Sequence, residues 1–409
     1  MNKSTNTETT MENPLAKMPA SFHAVFKVLS LTLVFLLGLN CFNNVFFFAL
    51  MPLLITPAVM PVINGYSRLT ILAFALGASA LTFMPIGDVL GDDVLFSQLA
   101  AVLLLGAASA LPWLIITRAK RLRLITSITA CLIAILPPFG TISAPNPFMA
   151  AGYLFPGTGV IGLLLMASII ILPYQFKTNV RKYFFGVIIA ISAISNLAYT
   201  EPLPPTDWVA LKTTFHDHYL DPIQERNKRS RALIAQITSE LDKGQKVIIA
   251  PESVLGLRTK GLEPQLDLIE ARARRNQAIV LVGVIEGEKG NYKNSLLILG
   301  DKSDRYQARQ PVPFIMWNLW QGDGFKSSWF ESGVQEIAGR RTAMLICWEE
   351  WVPWPMLRSA WEKPEVIISA SNHGWASEGQ YMWKRQSISA KALSRLYGLP
   401  MVRAVNLPD

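Results

Sequence analysis

The sequence is poor in charged residues, cysteine and histidine, and each shortage excludes a class of protein. Only 16% of its 409 residues are charged, whereas a soluble domain has about 25%. Its four histidines and three cysteines form no cluster with metal-ligand spacing, and it has no glycine-rich phosphate-binding loop. The sequence therefore predicts neither a bound metal nor another cofactor.

The cysteines are also too few for a disulfide framework. Cys41 and Cys131 lie in or beside apolar segments, and Cys347 is alone in the second half of the chain. A disulfide within that half is impossible, so the fold cannot depend on one. Cys347 must therefore be explained by packing, as a small buried hydrophobe, or by chemistry, as a nucleophile.

The shortage of charge is confined to the first half of the chain. Residues 1–200 carry 11 Lys/Arg and 5 Asp/Glu, and residues 201–409 carry 27 and 24. The net charge of +9 therefore divides into +6 and +3. No basic stripe occurs in the second half, so nucleic acid is not an expected partner. This asymmetry predicts a membrane-embedded half followed by a water-facing domain.

The first half contains apolar segments of the length that a bilayer requires, about 20 residues. We predict an N-terminal α-helical transmembrane bundle of about seven spans over 23–200, preceded by a tail at 1–22. Because few ionisable residues interrupt the spans, an anchor or a lipid-accessible platform is favoured over a transporter. No cleavable signal peptide is expected. The predicted spans are 23–40, 43–61, 69–87, 95–117, 123–139, 151–173 and 183–200.

The basic residues between these spans predict their orientation. Arg68, the cluster at 118–123 and the cluster at 177–182 all fall in loops on one side of the bundle. Short loops rich in Lys and Arg stay in the cytoplasm. The N-terminus is therefore expected in the cytoplasm of a bacterium and residues 201–409 in the periplasm, which makes this a multi-pass protein of the inner membrane.

The second half alternates strand-like and helix-like segments, which predicts an α/β layered fold. Strands are expected at 208–213, 247–250, 278–284, 294–299, 342–347, 366–369 and 400–405. Helices are expected at 222–242, 262–274, 351–359 and 381–397. Polar groups follow three of these strands, at Glu252, at Cys347 with Glu349, and at 372–375. Because ligands bind beyond the carboxyl ends of strands in such sheets, these positions are candidates for a site.

Four segments together resemble the nitrilase, or carbon–nitrogen hydrolase, superfamily, and with the membrane half they resemble apolipoprotein N-acyltransferases. The segments are Pro-Glu at 251–252, YQARQPVPF at 306–314, ICWE at 346–349, and SNHGW at 371–375 with MVRAVN at 401–406. The resemblance implies an α-β-β-α sandwich over 201–409. It also implies Glu252 as the general base, Cys347 as the nucleophile and Glu349 as a supporting carboxylate.

The mechanism implied by this resemblance is acyl transfer through a cysteine thioester. Glu252 would take the thiol proton, and the thiolate of Cys347 would attack an acyl carbonyl. The implied partners are a membrane phospholipid as acyl donor and a lipoprotein or other secreted protein as acceptor. In soluble relatives water resolves the thioester, so transferase and hydrolase both remain open.

The sequence departs from the family at the lysine that stabilises the oxyanion. Ala308 stands at the position of this lysine, and the nearest cation is Arg309. One residue along a strand reverses the direction of the side chain, so Arg309 could replace the lysine only across a bulge. We also expect the domain to lack the family's last strands and final span, because little sequence follows the match at 401–406. The pattern resembles a divergent branch encoded with plasmid conjugal-transfer systems.

Two functions are therefore compatible with the sequence. The first is a cysteine-dependent acyltransferase or amidase at the outer face of the inner membrane, supported by Glu252 and Cys347. The second is a catalytically impaired accessory factor that keeps the fold, for example in conjugal transfer, and it is supported by Ala308.

Overall fold

The architecture is that of a helical half followed by a two-sheet sandwich, described in a computed structural model. The structure describes residues 20–41, 43–51, 68–84, 94–116, 119–144, 146–176, 178–215, 223–288, 290–317, 324–375 and 379–407. The rest of the predicted second span, 52–61, lies outside the described residues, as does the predicted N-terminal tail up to residue 19.

The first half is helical throughout its described parts. Its helices are α1 (Ala20–Asn40), α2 (Leu69–Phe83), α3 (Val94–Leu114), α4 (Lys120–Ile135), α5 (Phe139–Ile142), α6 (Ala151–Leu154), α7 (Val160–Ile171) and α8 (Thr178–Ala198). Residues 45–51 are also helical, and 3₁₀ turns occur at Pro147–Ala150 and Leu172–Tyr174.

Two apolar segments in the described part of this half are long enough to cross a bilayer, by length and composition alone. They are Leu95–Leu114 and Asn179–Ala198. The apolar segments Ala24–Asn40, Leu69–Ala80 and Val160–Ile171 are shorter. The bundle of about seven spans therefore stays a prediction.

The prediction of one continuous span over 151–173 is wrong. Helix α6 ends at Leu154, and α7 begins only at Val160. Pro156 lies between the two helices, and Gly157 and Gly159 have φ values of +74° and +57°. Because these glycines adopt left-handed backbone conformations that a helix does not contain, the helix must stop and restart here.

The second half contains ten strands in its described part. They are β1 (Trp208–Ala210), β2 (Lys212–Thr213), β3 (Val247–Ile249), β4 (Ile279–Glu286), β5 (Lys293–Leu299), β6 (Asp304–Gln307), β7 (Val334–Ile337), β8 (Arg340–Ile346), β9 (Val366–Asn372) and β10 (Met401–Asn406). The helices are α9 (Ile223–Asp242), α10 (Glu263–Arg275), α11 (Pro353–Ala360) and α12 (Gly379–Tyr397).

The strands form two five-stranded sheets. The first has the order β1-β3-β4-β5-β6 and the second the order β2-β10-β9-β8-β7. The predicted strand at 208–213 is in fact two strands, because the chain leaves the first sheet after Ala210 and joins the second at Lys212. Strands β6 and β7 were not predicted, since both are short, partly polar edge strands.

Three apolar layers hold the sandwich together. The inner faces of the sheets meet in one core, to which Ile249 and Leu281 contribute from the first sheet and Ile346 and Ile368 from the second. Helices α9 and α10 cover the outer face of the first sheet. The outer face of the second sheet is covered by α11, α12 and residues of the helical half in one continuous core. The layer order is the expected α-β-β-α.

Candidate active site

Glu252 lies in the turn after β3 and is held by residues from both sheets. Its side chain is only 5% exposed. One carboxylate oxygen accepts a hydrogen bond from the Asn294 side-chain amide, and the other accepts one from the backbone N–H of Asn372 at 2.9 Å. Burial raises the pKa of Glu252 to about 7, against the hydrogen bonds that oppose the rise. The carboxyl can therefore exchange a proton near neutral pH.

The backbone around Glu252 is shaped by close packing. The next residue, Ser253, has a φ of +42°, which is uncommon outside glycine. Strand β4 passes directly beneath the turn at Gly283, where a Cβ atom would lie 2.2 Å from the carbonyl oxygen of Pro251. Only glycine allows this approach, so Gly283 fixes how closely Glu252 lies to the sheet.

Cys347 follows β8 and begins the 3₁₀ turn Cys347–Glu350, which lies opposite Glu252 across the sandwich. Its backbone has a φ of +50°, a strained value of the kind that persists mainly at functional sites. The thiol lies beside the Glu252 carboxylate, and the Gln386 side chain donates to the Cys347 carbonyl at 2.9 Å. This arrangement places a thiol next to a carboxylate that can accept a proton.

The thiol of Cys347 is not ionised in the resting protein. Burial raises its pKa well above 9.0, and the negative charge of Glu252 raises it further. A thiolate can then form only when the proton passes to a neighbouring base as the sulfur attacks. Glu252 is the carboxylate beside the thiol, so the two residues are placed for proton transfer.

Glu349 supports the turn rather than facing the thiol. Its carboxylate accepts hydrogen bonds from the backbone N–H of Ile346 at 2.8 Å and of Arg309 at 2.9 Å. It also accepts one from the Tyr306 hydroxyl at 2.8 Å. Burial raises the pKa of Glu349, and the charge of Arg309 opposes that rise. Glu349 thus ties the residue before Cys347 to the loop that follows β6.

The guanidinium of Arg309 lies against Glu349. Its Nε is 3.4 Å from a carboxylate oxygen of Glu349 and donates to the Tyr306 hydroxyl at 3.0 Å. The side chain is 1% exposed, and it fits only because Gly333 has no Cβ; one would lie 2.3 Å from the central carbon of the guanidinium. The contacts of Arg309 therefore place its charge on the supporting carboxylate.

Ala308, by contrast, is buried in the same core cluster as Cys347. Its backbone N–H donates at 2.8 Å to the carbonyl of Asn294, the residue whose side chain holds Glu252. The position at which the sequence resemblance implies a lysine therefore carries a methyl group, and the charge of Arg309 lies on Glu349.

Several residues of the site were not predicted from the sequence. Asn294 and Tyr306 lie on strands β5 and β6, and Gln386 lies on α12. A second buried ion pair, Arg403 with Glu350 at 2.6 Å, lies next to the turn. These residues contact the site from distant parts of the sequence, and the only signal for Asn294 was a polar residue within an otherwise apolar strand.

The helical half directly contacts the turn Cys347–Glu350. Trp348, the residue after Cys347, donates from its indole N–H to the carbonyl of Thr141 at 2.8 Å. The ring of Phe83, at the end of α2, lies 5.4 Å from the Trp348 ring and 5.3 Å from the Trp351 ring, measured between centroids. The turn that carries Cys347 is therefore held on its outer side by the helical half.

Comparisons with known proteins identify relatives of this chain, although no family model matches it. It is 30% identical over 294 residues to conjugal transfer protein TraB of Agrobacterium fabrum, a match covering 68% of this chain and 66% of that protein. It is 30% identical over 291 residues to a probable conjugal transfer protein TraB of Sinorhizobium fredii, covering 68% and 71%.

At lower identity, the chain is also similar to proteins that are named as enzymes. The chain is 23% identical over 304 residues to apolipoprotein N-acyltransferase of Pasteurella multocida, covering 66% of this chain and 58% of that protein. Among solved structures it is similar to a carbon–nitrogen hydrolase from Helicobacter pylori, with 14% identity, a TM-score of 0.38, and coverage of 48% and 72%. The matches span about two thirds of the TraB proteins and less of the acyltransferase. The chain belongs to the TraB family of conjugal transfer proteins, which is related to the apolipoprotein N-acyltransferases.

Proposed function

We propose that this chain is a membrane-bound enzyme of the carbon–nitrogen hydrolase type that transfers or hydrolyses an acyl group through a thioester on Cys347. The observation that carries the proposal is the position of the buried Cys347 thiol beside a Glu252 carboxyl whose pKa is about 7. A buried cysteine with only a packing role needs neither a base beside it nor a strained backbone.

The proposed reaction balances through these two residues. Glu252 takes the thiol proton as the sulfur of Cys347 bonds to the acyl carbonyl carbon. The bond from that carbon to the departing oxygen or nitrogen then breaks, and the leaving group takes the proton from Glu252. An amine or a water molecule next attacks the thioester, gives a proton to Glu252, and releases the thiolate, which recovers that proton.

The proposed location is the inner membrane, with the sandwich on the periplasmic side. Two helices support this orientation. Arg68 precedes the first turn of α2, whereas Phe83 at its other end packs on Trp348. Arg181 lies in the first turn of α8, whereas Asn196 near its other end accepts a hydrogen bond from Arg395 of α12 at 3.0 Å. The basic ends are thus opposite the sandwich, as expected if they remain in the cytoplasm.

This location makes a membrane phospholipid the proposed acyl donor and a lipoprotein or another secreted protein the proposed acceptor. The apolar helices would bring a lipid to the level of the sandwich. Trp348, the residue after Cys347, connects the two halves through its hydrogen bond to Thr141. Water in place of the amine would make the same site a hydrolase.

A second candidate function is a catalytically impaired accessory factor of conjugal transfer. The specific observation that favours it is Ala308, which puts a methyl group where a cation would stabilise the oxyanion. Loss of one oxyanion donor slows a reaction by roughly 100- to 1,000-fold. The TraB relatives give this candidate its proposed context.

The test is to trap the thioester on the full-length protein in native membranes. Mass spectrometry of acid-quenched samples should find an acyl group on the peptide containing Cys347, and Cys347→Ala should abolish both this adduct and function. Cys131→Ala, a change at a buried cysteine of the helical half, is the matched control and should leave both intact. Wild-type function in Cys347→Ala, with no adduct in the parent, would reject the enzyme and support the accessory factor.

Complementation of a strain depleted of its apolipoprotein N-acyltransferase separates the substrate classes. Growth would support lipoprotein acylation by this chain. Failure to grow despite normal expression, together with a trapped thioester, would exclude lipoproteins and direct the search to another acceptor.

A further inference from the structure

Exposed aromatic residues form a cluster on the surface of the sandwich. Phe330 and Trp361 are 66% and 65% exposed, and the buried Trp354 lies between them. The Trp354 ring is 5.7 Å from that of Phe330 and 6.5 Å from that of Trp361, between centroids. We name the surface formed by Phe330, Trp354, Trp361 and the adjoining Arg358 the aromatic patch.

This clustering is unusual for the sandwich. Within its described residues, from 201 to 407, the other exposed large hydrophobic side chains are Leu203, which follows α8, and Leu268 on α10. Scattered apolar residues need no explanation, but two large aromatic rings joined through a third form a patch. Such a patch indicates a contact with another surface.

The charges at the patch are balanced. The guanidinium of Arg358 lies 5.9 Å from the centre of the Trp361 ring, and its Nε donates to the Phe330 carbonyl at 3.1 Å. It is also paired with Glu362 at 2.6 Å. Because this pair is neutral, the patch has no electrostatic preference for a polyanion. An aromatic surface with a paired arginine at its edge suits the headgroup region of a bilayer.

The patch adjoins the part of the sandwich that rests on the helical half. Val352 and Met356, at the start of α11 and within it, are buried in the core shared with that half, and Leu357 packs against the same core. Trp361 is the next residue after α11. Helix α11 packs on α5, where Phe139 is 40% exposed. The patch therefore lies at the end of a helix that packs against the helical half.

We propose that the aromatic patch rests in the phospholipid headgroup region of the bilayer that holds the helical half. It would fix the tilt of the sandwich over the membrane, in addition to the contacts at Trp348. This inference rests on the proposed membrane location, and its partner is a lipid surface. A protein partner on the same patch is the competing outcome.

The test uses photocrosslinking from single positions of the otherwise natural, full-length chain in nanodiscs of phosphatidylethanolamine and phosphatidylglycerol. The photoreactive residue p-benzoylphenylalanine replaces Phe330 or Trp361, in both cases an aromatic residue. Leu268, on the outer helix layer of the other sheet, is the matched exposed control. Leu104, 45% exposed within the apolar segment of α3, reports on the membrane location itself.

Phospholipid adducts at positions 330 and 361 should exceed those at 268 several-fold, because aromatic side chains in the headgroup region contact lipid continuously. If position 104 gives lipid adducts but 330 and 361 give no more than 268, the patch proposal is wrong and the membrane location stands. If position 104 also gives no lipid adduct, both the patch proposal and the membrane location are wrong. In native membranes, a protein adduct at 330 and 361 without a lipid adduct would mean that the patch binds a protein and not the lipid surface.

Discussion

Removing the carboxyl of Glu252 should slow the reaction of Cys347 and move its pH dependence upward. In the wild-type protein, Glu252 loses its proton near pH 7 and can then accept the thiol proton. In Glu252→Gln no base remains, and burial still raises the pKa of the thiol. At about pH 7 roughly 3% of an ordinary thiol is ionised, and less of a buried one. The expected loss is on the order of 100-fold or more, within the range of general-base catalysis.

The assay is alkylation by iodoacetamide followed by mass spectrometry of the peptide that contains Cys347. The wild-type rate should rise through about pH 7, and the Glu252→Gln rate should rise only at a clearly higher pH, because burial raises the pKa of the thiol. Cys41 and Cys131, both buried, report unfolding within the same sample. Equal rates and equal midpoints in the two proteins would refute the assignment of Glu252 as the base.

Three further substitutions test how the site is held. Gly283→Ala forces a Cβ into a neighbouring backbone, and should lower the free energy of unfolding by about 1–3 kcal/mol, measured by thermal denaturation in detergent. Tyr306→Phe removes a hydrogen bond to the buried carboxylate of Glu349, and should cost about 1.5–3 kcal/mol by the same measurement. Trp348→Phe leaves the Thr141 carbonyl without its donor, and should cost about 1–3 kcal/mol and slow alkylation at the adjacent cysteine.

Matched controls decide these results. Gly261→Ala meets no atom closer than 3.8 Å and should change stability little. Trp361→Phe alters an exposed tryptophan and should leave alkylation unchanged. A Gly283→Ala protein as stable as Gly261→Ala would contradict the close packing described here. Unchanged stability in Tyr306→Phe would show that Glu349 does not depend on that hydroxyl, and a Trp348→Phe protein that behaves as Trp361→Phe would mean that the helical half does not support the turn.

The sequence predicted the central strands well because they are continuous apolar runs. Strands β3, β8 and β9 were found where such runs end in polar residues, and those ends carry Glu252 and Cys347. The edge strands β6 and β7 were missed because edge positions tolerate polar residues and give a weak pattern. The break between α6 and α7 was missed although its sequence at 155–159, FPGTG, contains turn-forming residues, because the span was predicted from length and apolar composition alone.

The site itself was predicted only in part, for a physical reason. Glu252 and Cys347 could be named because a carboxylate and a thiol after buried strands are unusual. Asn294 on the first sheet and Asn372 on the second, which hold the carboxylate, lie 42 and 120 residues from Glu252 in the sequence. The direction of Arg309 depends on the absence of a Cβ at Gly333. No pattern of neighbouring residues in the sequence indicates the contacts that hold Glu252 or the direction of Arg309.

The core shared by the two halves has a consequence for how this chain can be handled and how it can change. Trp348, Trp351 and Met356 are buried in a core to which helices from the first 200 residues contribute, with Phe83 packed on both tryptophan rings. A fragment beginning after α8 would expose this surface to water and should aggregate rather than act as a soluble enzyme. The helical half thus completes the outer layer of the second sheet. The two halves should therefore be expressed and purified as one chain.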